Sequence, residues 1–208
     1  MTKFWGFTAV RFAISAALVT AHGGCNDDRG KTEELLELGS YDEAVAMGQK
    51  VVSAAEIARR AGVPVRNYSV FLDYPHAEWM RITHAVATLI PEGAHHVGEG
   101  LRHLGQHAFD AMWNHPLGKV IFGPLGLHVE QVVAHGPLAY RVGLGFGSIV
   151  ATRIADRHYQ YVFKDFPSFL ETFNVGVLER GISQYFAKPR VRIRMHGLSS
   201  CEMELTWT

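Results

Sequence analysis

The spacing of apolar residues changes near the middle of this chain, from the period of an α-helix to the period of a β-strand. Up to about Val133, apolar side chains recur every three or four residues between Gly and Pro breaks. From Leu138 onward, short runs rich in β-branched and aromatic residues follow one another across tight turns. This order predicts an α+β fold, in which a helical N-terminal half packs on a C-terminal antiparallel sheet.

The second half predicts a sheet that one long helix crosses. Three β-rich runs at 138–146, 148–155 and 158–165 predict an antiparallel meander. Apolar residues at helical spacing then predict a helix over 166–186.

Two closing strands are predicted at 190–196 and 201–207. Each alternates apolar and charged or polar residues, so one face of this hairpin is expected to be buried and the other to carry cross-strand charge pairs. We therefore expect a single ligand-binding domain over 1–208, mostly helical over 1–134 and built from sheet and helix over 135–208.

The helical half contains four well-marked segments. The sequence predicts a helix from Asp42 to a stop at Gly62, one that begins after Pro75, one over 93–113, and one over 117–133 that is interrupted at a Gly-Pro pair.

Length and composition exclude several classes of protein. The 208 residues suit one globular domain, and 20 basic against 20 acidic residues leave no surplus charge for nucleic acid. Two cysteines are too few for a disulfide framework, so the cytoplasm is the expected location. No uninterrupted apolar stretch of about 18 residues occurs, so no membrane span is expected. Hydrophobic residues at 48% indicate an apolar pocket or an interface with a second copy or a signalling partner.

Twelve histidines are unusual for this length. His103 and His107 lie four residues apart on one predicted helix and therefore share a face, with Glu99 one turn earlier, which is a spacing that metal sites use. The alternative is an exposed helix face that uses histidine. The same helix region also carries His95, His96 and His115.

His128 is a second candidate ligand. It lies at helical spacing among Leu125, Leu127, Val132 and Val133, where a neutral imidazole could coordinate an iron in an apolar cavity. The alternative is a core histidine with its hydrogen bonds satisfied.

Motifs for nucleophilic catalysis and phosphate binding are missing from the sequence. There is no GxSxG elbow, no HExxH pair and no phosphate-binding glycine loop. The sequence leaves enzymatic activity open and favours a binding function.

Several local patterns resemble one family of sensor domains. Residues 6–24 end in an HGG like that family's first helix, and residues 55–63 followed by 73–78 are similar to its RxAG helix end and YPDEE entry. Residues 101–109 (LRHLGQHAF) and 170–207 are similar to a later helix and to the terminal helix and hairpin. The chain thus resembles the heme nitric oxide/oxygen-binding (H-NOX) family and its bacterial relatives over most of its length.

This resemblance implies a heme site. His128 falls where the family carries its proximal heme ligand, and Tyr161 falls on the first residue of its YxSxR propionate clamp. Phe163 and Asp165 replace the Ser and the Arg of that motif, which leaves nearby cations as possible substitutes: Lys164, Arg153 and Arg157. The first helix would supply an apolar distal pocket from Phe4, Trp5, Phe7 and Phe12.

The terminal hairpin is also similar to that of vinyl-reductase-type sensors of the same superfamily. Residues 197–201 keep the Gly and the Cys of their GDxxC turn, with Cys201 as the cysteine. Ile193 stands where those sensors have their earlier cysteine, which implies that their zinc site is missing here.

The sequence therefore gives three hypotheses. The first is a cytoplasmic sensor or carrier that binds heme through His128 and responds to a diatomic gas by a shift of the His128 helix. The second is a heme-free binding module for an apolar small molecule, in which Phe163 fills the space of the propionates. The third is an enzyme that acts on an apolar substrate in the same cavity.

Overall fold

The chain is described here by a computed structural model, which covers residues 54–65, 75–114, 118–119, 122, 128–143, 146–185 and 187–208. These residues form five α-helices: α1 (Ala54–Ala61), α2 (His76–Ala87), α3 (Val97–Asn114), α4 (Val129–Gly143) and α5 (Val175–Ser183). A 3₁₀ turn (Pro91–Gly93) precedes α3, and a π turn (Leu170–Asn174) leads into α5. The four strands are β1 (Ser148–Ala155), β2 (His158–Lys164), β3 (Pro189–Gly197) and β4 (Ser200–Trp207).

The strands form one antiparallel sheet in the order β1-β2-β4-β3. Its inner face is closed to solvent, and five side chains on the two central strands are 0% exposed: Tyr161, Phe163, Cys201, Met203 and Leu205.

The outer face of the sheet carries the predicted cross-strand charge pairs. Arg192 lies opposite Glu204, and Arg194 lies opposite Glu202, across the β3–β4 pair. The α+β fold and the alternation of the closing hairpin are confirmed.

The strand predicted at 138–146 is wrong, because this segment belongs to helix α4. The predicted helix ended at Val133, before Pro137, and proline has no N–H to donate to the carbonyl four residues earlier. The helix nevertheless continues through Pro137 to Gly143. The carbonyl that loses its partner is that of Val133, and the hydroxyl of Tyr161 on β2 donates a hydrogen bond to it. The sheet consequently starts at Ser148, and the meander has two strands rather than three.

The helical layer has its own apolar core, which α1, α2 and α3 share. Ile57, Ile82, Val86, Ile90 and Leu104 are each at most 2% exposed within it. Helix α1 ends at Ala61, and Gly62 stops it, as predicted, with a φ of 62° that glycine adopts without strain. None of the described helices is both long and apolar enough to span a bilayer.

Helix α3 approaches the π turn and α5 so closely that only glycine fits at two positions. A Cβ atom on Gly105 would lie 1.9 Å from the carbonyl oxygen of Phe173, and one on Gly176 would lie 2.0 Å from that of Arg102. Around this contact, Arg180 forms an ion pair with Asp110 at 2.7 Å.

The helix predicted over 166–186 begins only at Leu170, and its first turn is a π turn.

His76, the first residue of α2, ties the helical layer to the segment after β2. Its Nε2–H donates to the carbonyl of Pro167 at 2.8 Å, and its ring packs against Trp79 and Phe146. Burial lowers the pKa of His76, although the bond to Pro167 opposes this shift.

A pH dependence of stability follows from this lowered pKa. The unfolded chain binds a proton near the ordinary histidine pKa of about 6.5, while the folded chain resists it. The free energy of unfolding is therefore expected to fall as the pH decreases from about 7.5 to about 5.5. Urea unfolding of the wild type and of His76→Gln at both pH values measures this. An equal loss in the two proteins would assign the pH dependence to other groups.

Candidate ligand-binding site

A cavity of about 30 Å³ lies where α3, α4 and α5 meet the inner face of the sheet. It has room for about one or two water-sized molecules. Almost every described residue around it is apolar. These residues are Phe109, Met112, Phe122, Val132, Val133, Gly136, Ala139, Tyr140, Tyr161, Val177, Leu178, Gly181, Ile182 and Leu205.

The Gly136-Pro137 pair shapes the α4 wall of this cavity. Pro137 leaves the Val133 carbonyl without a donor from its own helix, and Tyr161 replaces that donor. Gly136 makes the replacement possible, because a Cβ atom at this position would lie 2.4 Å from the Tyr161 hydroxyl oxygen. The glycine, the proline and the tyrosine thus form one unit at the cavity wall.

Tyr140 is the second hydroxyl among the described lining residues. Its hydroxyl lies 3.0 Å from Oδ1 of Asn174, a fully buried residue of the π turn. The Asn174 side-chain amide nitrogen donates to the carbonyls of Ser168 and Phe169, at 3.3 and 3.4 Å. This fixes which amide atom faces Tyr140, so the tyrosine is the donor and Asn174 the acceptor.

Both tyrosines are held in the neutral form. Burial raises the pKa of Tyr161 well above its usual value of about 10, and Tyr140 and Tyr159 add to the effect. Burial likewise raises the pKa of Tyr140. The two phenols therefore stay protonated over the whole physiological range, and each gives its proton to an acceptor within the protein.

Phe163 lies next to this site in a dense aromatic cluster. Its ring makes edge-to-face contacts with Tyr140 and Phe166, at centroid distances of 6.0 and 5.4 Å. Phe166 in turn contacts Tyr140 at 5.7 Å. The position at which the resemblance placed a propionate-binding serine is thus filled by packed rings.

The structure places the residues that the resemblance grouped into a heme site in different surroundings. His128 lies just before α4 with its side chain exposed, and its carbonyl accepts hydrogen bonds from the N–H groups of Gln131 and Val132. Tyr161 is fully buried in the sheet. The predicted distal residues Phe4, Trp5, Phe7 and Phe12 lie outside the described residues.

The described residues do not supply partners for the negative charges of the heme propionates. A heme needs cations or donors for its two propionates. The Tyr161 proton is donated to Val133, and Phe163 offers no hydrogen bond. Lys164 and Arg157 are exposed, and Arg153 forms ion pairs with Glu130 at 3.5 Å and with Asp156 at 3.2 Å.

The histidine pair predicted on α3 does come together. Nε2 of His103 lies 3.0 Å from Nε2 of His107 and 3.5 Å from a carboxylate oxygen of Glu92 in the 3₁₀ turn. Glu99, the predicted third member, is exposed. In the part of the chain that the structure describes, no three His, Cys, Asp or Glu side chains are arranged to hold a metal ion.

Cys201 is a buried free thiol at the start of β4. Burial raises its pKa to about 12, and the carboxylates of Glu171 and Glu202 add to the shift. A protonated thiol in this position suits core packing.

Solved structures of H-NOX proteins share this architecture. A domain from work on heme distortion in the H-NOX family is 12% identical with a TM-score of 0.62, and the match covers 99% of this chain and 95% of that one. An oxygen-binding H-NOX domain related to soluble guanylate cyclases is 13% identical with a TM-score of 0.57, over 74% and 83% of the two chains. An unliganded iron(II) H-NOX variant from K. algicida is 11% identical with a TM-score of 0.57, over 96% of each chain. The chain therefore has an H-NOX-like fold.

The sequence of the chain shows which family it belongs to. Residues 45–208 match the family described as "Protein of unknown function (DUF2378)", and the chain belongs to this family. No curated protein matches the sequence.

Proposed function

We propose that this chain is a cytoplasmic small-molecule sensor or carrier domain that binds an apolar ligand without heme. The observation that carries the proposal is the apolar cavity between α3, α4, α5 and the sheet, with Tyr161 and Val133 at its wall. Apolar cavities with a few placed polar groups are the usual form of ligand sites. Because α4 contacts both α5 and β1, a ligand at this wall can shift the helix, which a partner protein or a second copy would sense.

The heme-binding form of the same function has one observation in its favour, which is the likeness of the fold to H-NOX domains, among them one that binds oxygen. In that form His128 would hold the iron, and Phe4, Trp5 and Phe12 would form the distal pocket for a diatomic gas. The charge and packing around Tyr161 and Phe163 argue against it.

An absorption spectrum separates the two forms. We expect the purified protein to show no sharp band near 400 nm, and none to develop when hemin is added in equimolar amount. His128→Ala is the matched variant, since its exposed side chain can be removed at little cost to the fold. A band in the wild type that disappears in His128→Ala would overturn the heme-free proposal and establish His128 as the iron ligand.

A further inference from the structure

The histidine pair on α3 and the carboxylate beside it form a polar cluster that the proposed function does not use. None of His103, His107 and Glu92, all within the described ranges, lines the cavity. The two Nε2 atoms face each other at 3.0 Å, and Oε1 of Glu92 lies 3.5 Å from that of His103. Among the residues that the structure describes, the other oxygen of Glu92, Oε2, has no hydrogen-bond partner although it is buried. A buried acceptor of this kind is costly unless a donor reaches it.

Close backbone packing holds Glu92 beside the histidine pair. A Cβ atom on Gly93, the next residue of the 3₁₀ turn, would lie 1.7 Å from the carbonyl oxygen of Ala87 at the end of α2. One on Gly100, three residues before His103 on α3, would lie 2.8 Å from the Cα atom of Gly93. The turn is therefore fixed between α2 and α3, and the polar cluster is assembled on rigid elements, as precise binding sites are.

The distance between the two imidazole nitrogens indicates which kind of metal ion fits. Bonds from a metal ion to imidazole are about 2.0–2.1 Å long, so an ion bound to both nitrogens at their 3.0 Å separation would hold them at about 90–95°. This is the angle between neighbouring ligands in square-planar and tetragonal complexes, the geometries of Cu(II) and Ni(II). Tetrahedral zinc would need a wider angle. The ring centroids are 4.5 Å apart and the ring planes cross at 74°, so the rings do not lie end to end, as a linear N–H···N bond would place them.

We propose that His103 and His107 chelate a divalent transition-metal ion of the Cu(II) or Ni(II) class, with water in the remaining positions. Each ring contributes its Nε2 lone pair, so the ring that otherwise donates the Nε2–H bond carries its proton on Nδ1 when the ion is bound. A metal-bound water donates to the buried oxygen of Glu92, whose charge partly offsets that of the ion. A site with two side-chain ligands agrees with the finding that no three described side chains converge on one ion.

Copper titration tests the proposal on the full chain. The wild type with substoichiometric Cu²⁺ is expected to give an electron paramagnetic resonance spectrum with two equatorial imidazole nitrogens. His103→Gln and His107→Gln should each leave one nitrogen and weaken Cu²⁺ binding, measured by calorimetry, by about tenfold or more. Glu92→Gln should keep both nitrogens and weaken binding by about tenfold, the lower end of the usual effect of losing an outer partner of a metal ligand.

Two matched variants control for binding of copper to other polar groups of the same region. His95→Gln removes an exposed imidazole, and Glu99→Gln removes the exposed carboxylate that the sequence had suggested as a ligand. Neither has a place in the proposed site, so both should leave the Cu²⁺ affinity and the nitrogen count unchanged. Circular dichroism establishes that each variant is folded.

A wild-type spectrum with fewer than two nitrogens overturns the inference. An equal loss of affinity in His95→Gln and His103→Gln also overturns it, because the ion would then bind by exposed histidines in general. If a variant does not fold, NMR of the wild type decides the question. Paramagnetic Cu²⁺ is expected to broaden the ring signals of His103 and His107 before those of the other histidines, and broadening that starts elsewhere contradicts the proposal. Because the site shares no residue with the cavity, neither result bears on the proposed function.

Discussion

Gly105→Leu is expected to destabilise the domain by about 3 kcal/mol or more, at the upper end of the range for overpacked cores. The first atom of the new side chain would meet the carbonyl oxygen of Phe173 at 1.9 Å, and this is a backbone atom that cannot rotate away. Helix α3 would have to move away from the π turn and the α5 helix that follows it, which also breaks the ion pair of Arg180 with Asp110. A loss of this size is a large part of the 5–15 kcal/mol that holds a typical domain together.

Urea unfolding followed by circular dichroism measures the effect. Gly197→Ala is the control, because a Cβ atom at Gly197 meets nothing within 4 Å, and we expect a change of about 0.5 kcal/mol or less. If Gly105→Leu unfolded at the urea concentration of the wild type, the close contact of α3 with the π turn before α5 would be wrong.

Phe163→Ala is expected to reduce the free energy of unfolding by about 3–5 kcal/mol, the usual cost of removing a buried phenylalanine ring. Phe163 is 0% exposed and packs edge to face with Tyr140 and Phe166, so the ring leaves a cavity that its rigid neighbours do not fill. Val150→Ala on the exposed outer face of β1 is the control, with an expected loss of about 1 kcal/mol or less.

The same variant tests what Phe163 does for the function. If the ring only occupied space that a heme needs, then Phe163→Ala would gain a hemin-dependent band near 400 nm. We expect no band, because the Tyr161 proton is still donated to Val133 and no cation has been added. A new band in Phe163→Ala that is lost in the double variant with His128→Ala would show that the ring alone excludes heme.

The closing part of the fold could be predicted from the sequence because its signals are local. The strands at 148–155, 158–164, 189–197 and 200–207 follow from alternation and turn residues, which act over a few positions. The helical identity of α4 after Pro137 could not be predicted in this way. It depends on a hydrogen bond from Tyr161, 28 positions beyond Val133, and no helix pattern contains that information.

The site was predicted only in part, for a related reason. Tyr161 was selected because of its likeness to a propionate ligand, but its partner in the structure is the carbonyl of Val133. Tyr140, Gly136 and Asn174 were missed. Two signals in the sequence could have found them. One is the Gly136-Pro137 pair inside an otherwise helical pattern, and the other is Asn174 within an apolar helical stripe.

The π turn before α5 limits how this sequence can change in length. A π turn holds one residue more than the α-helical turn it replaces, so this turn already takes up one extra residue, and inserting a further residue into Leu170–Asn174 would rotate all of α5 by about 100°. Gly176 and Gly181 would then leave the surface that meets α3, and side chains would take their place against a neighbouring backbone. A single-residue insertion, which surface loops of a protein tolerate readily, is therefore as disruptive in this turn as a substitution in the core.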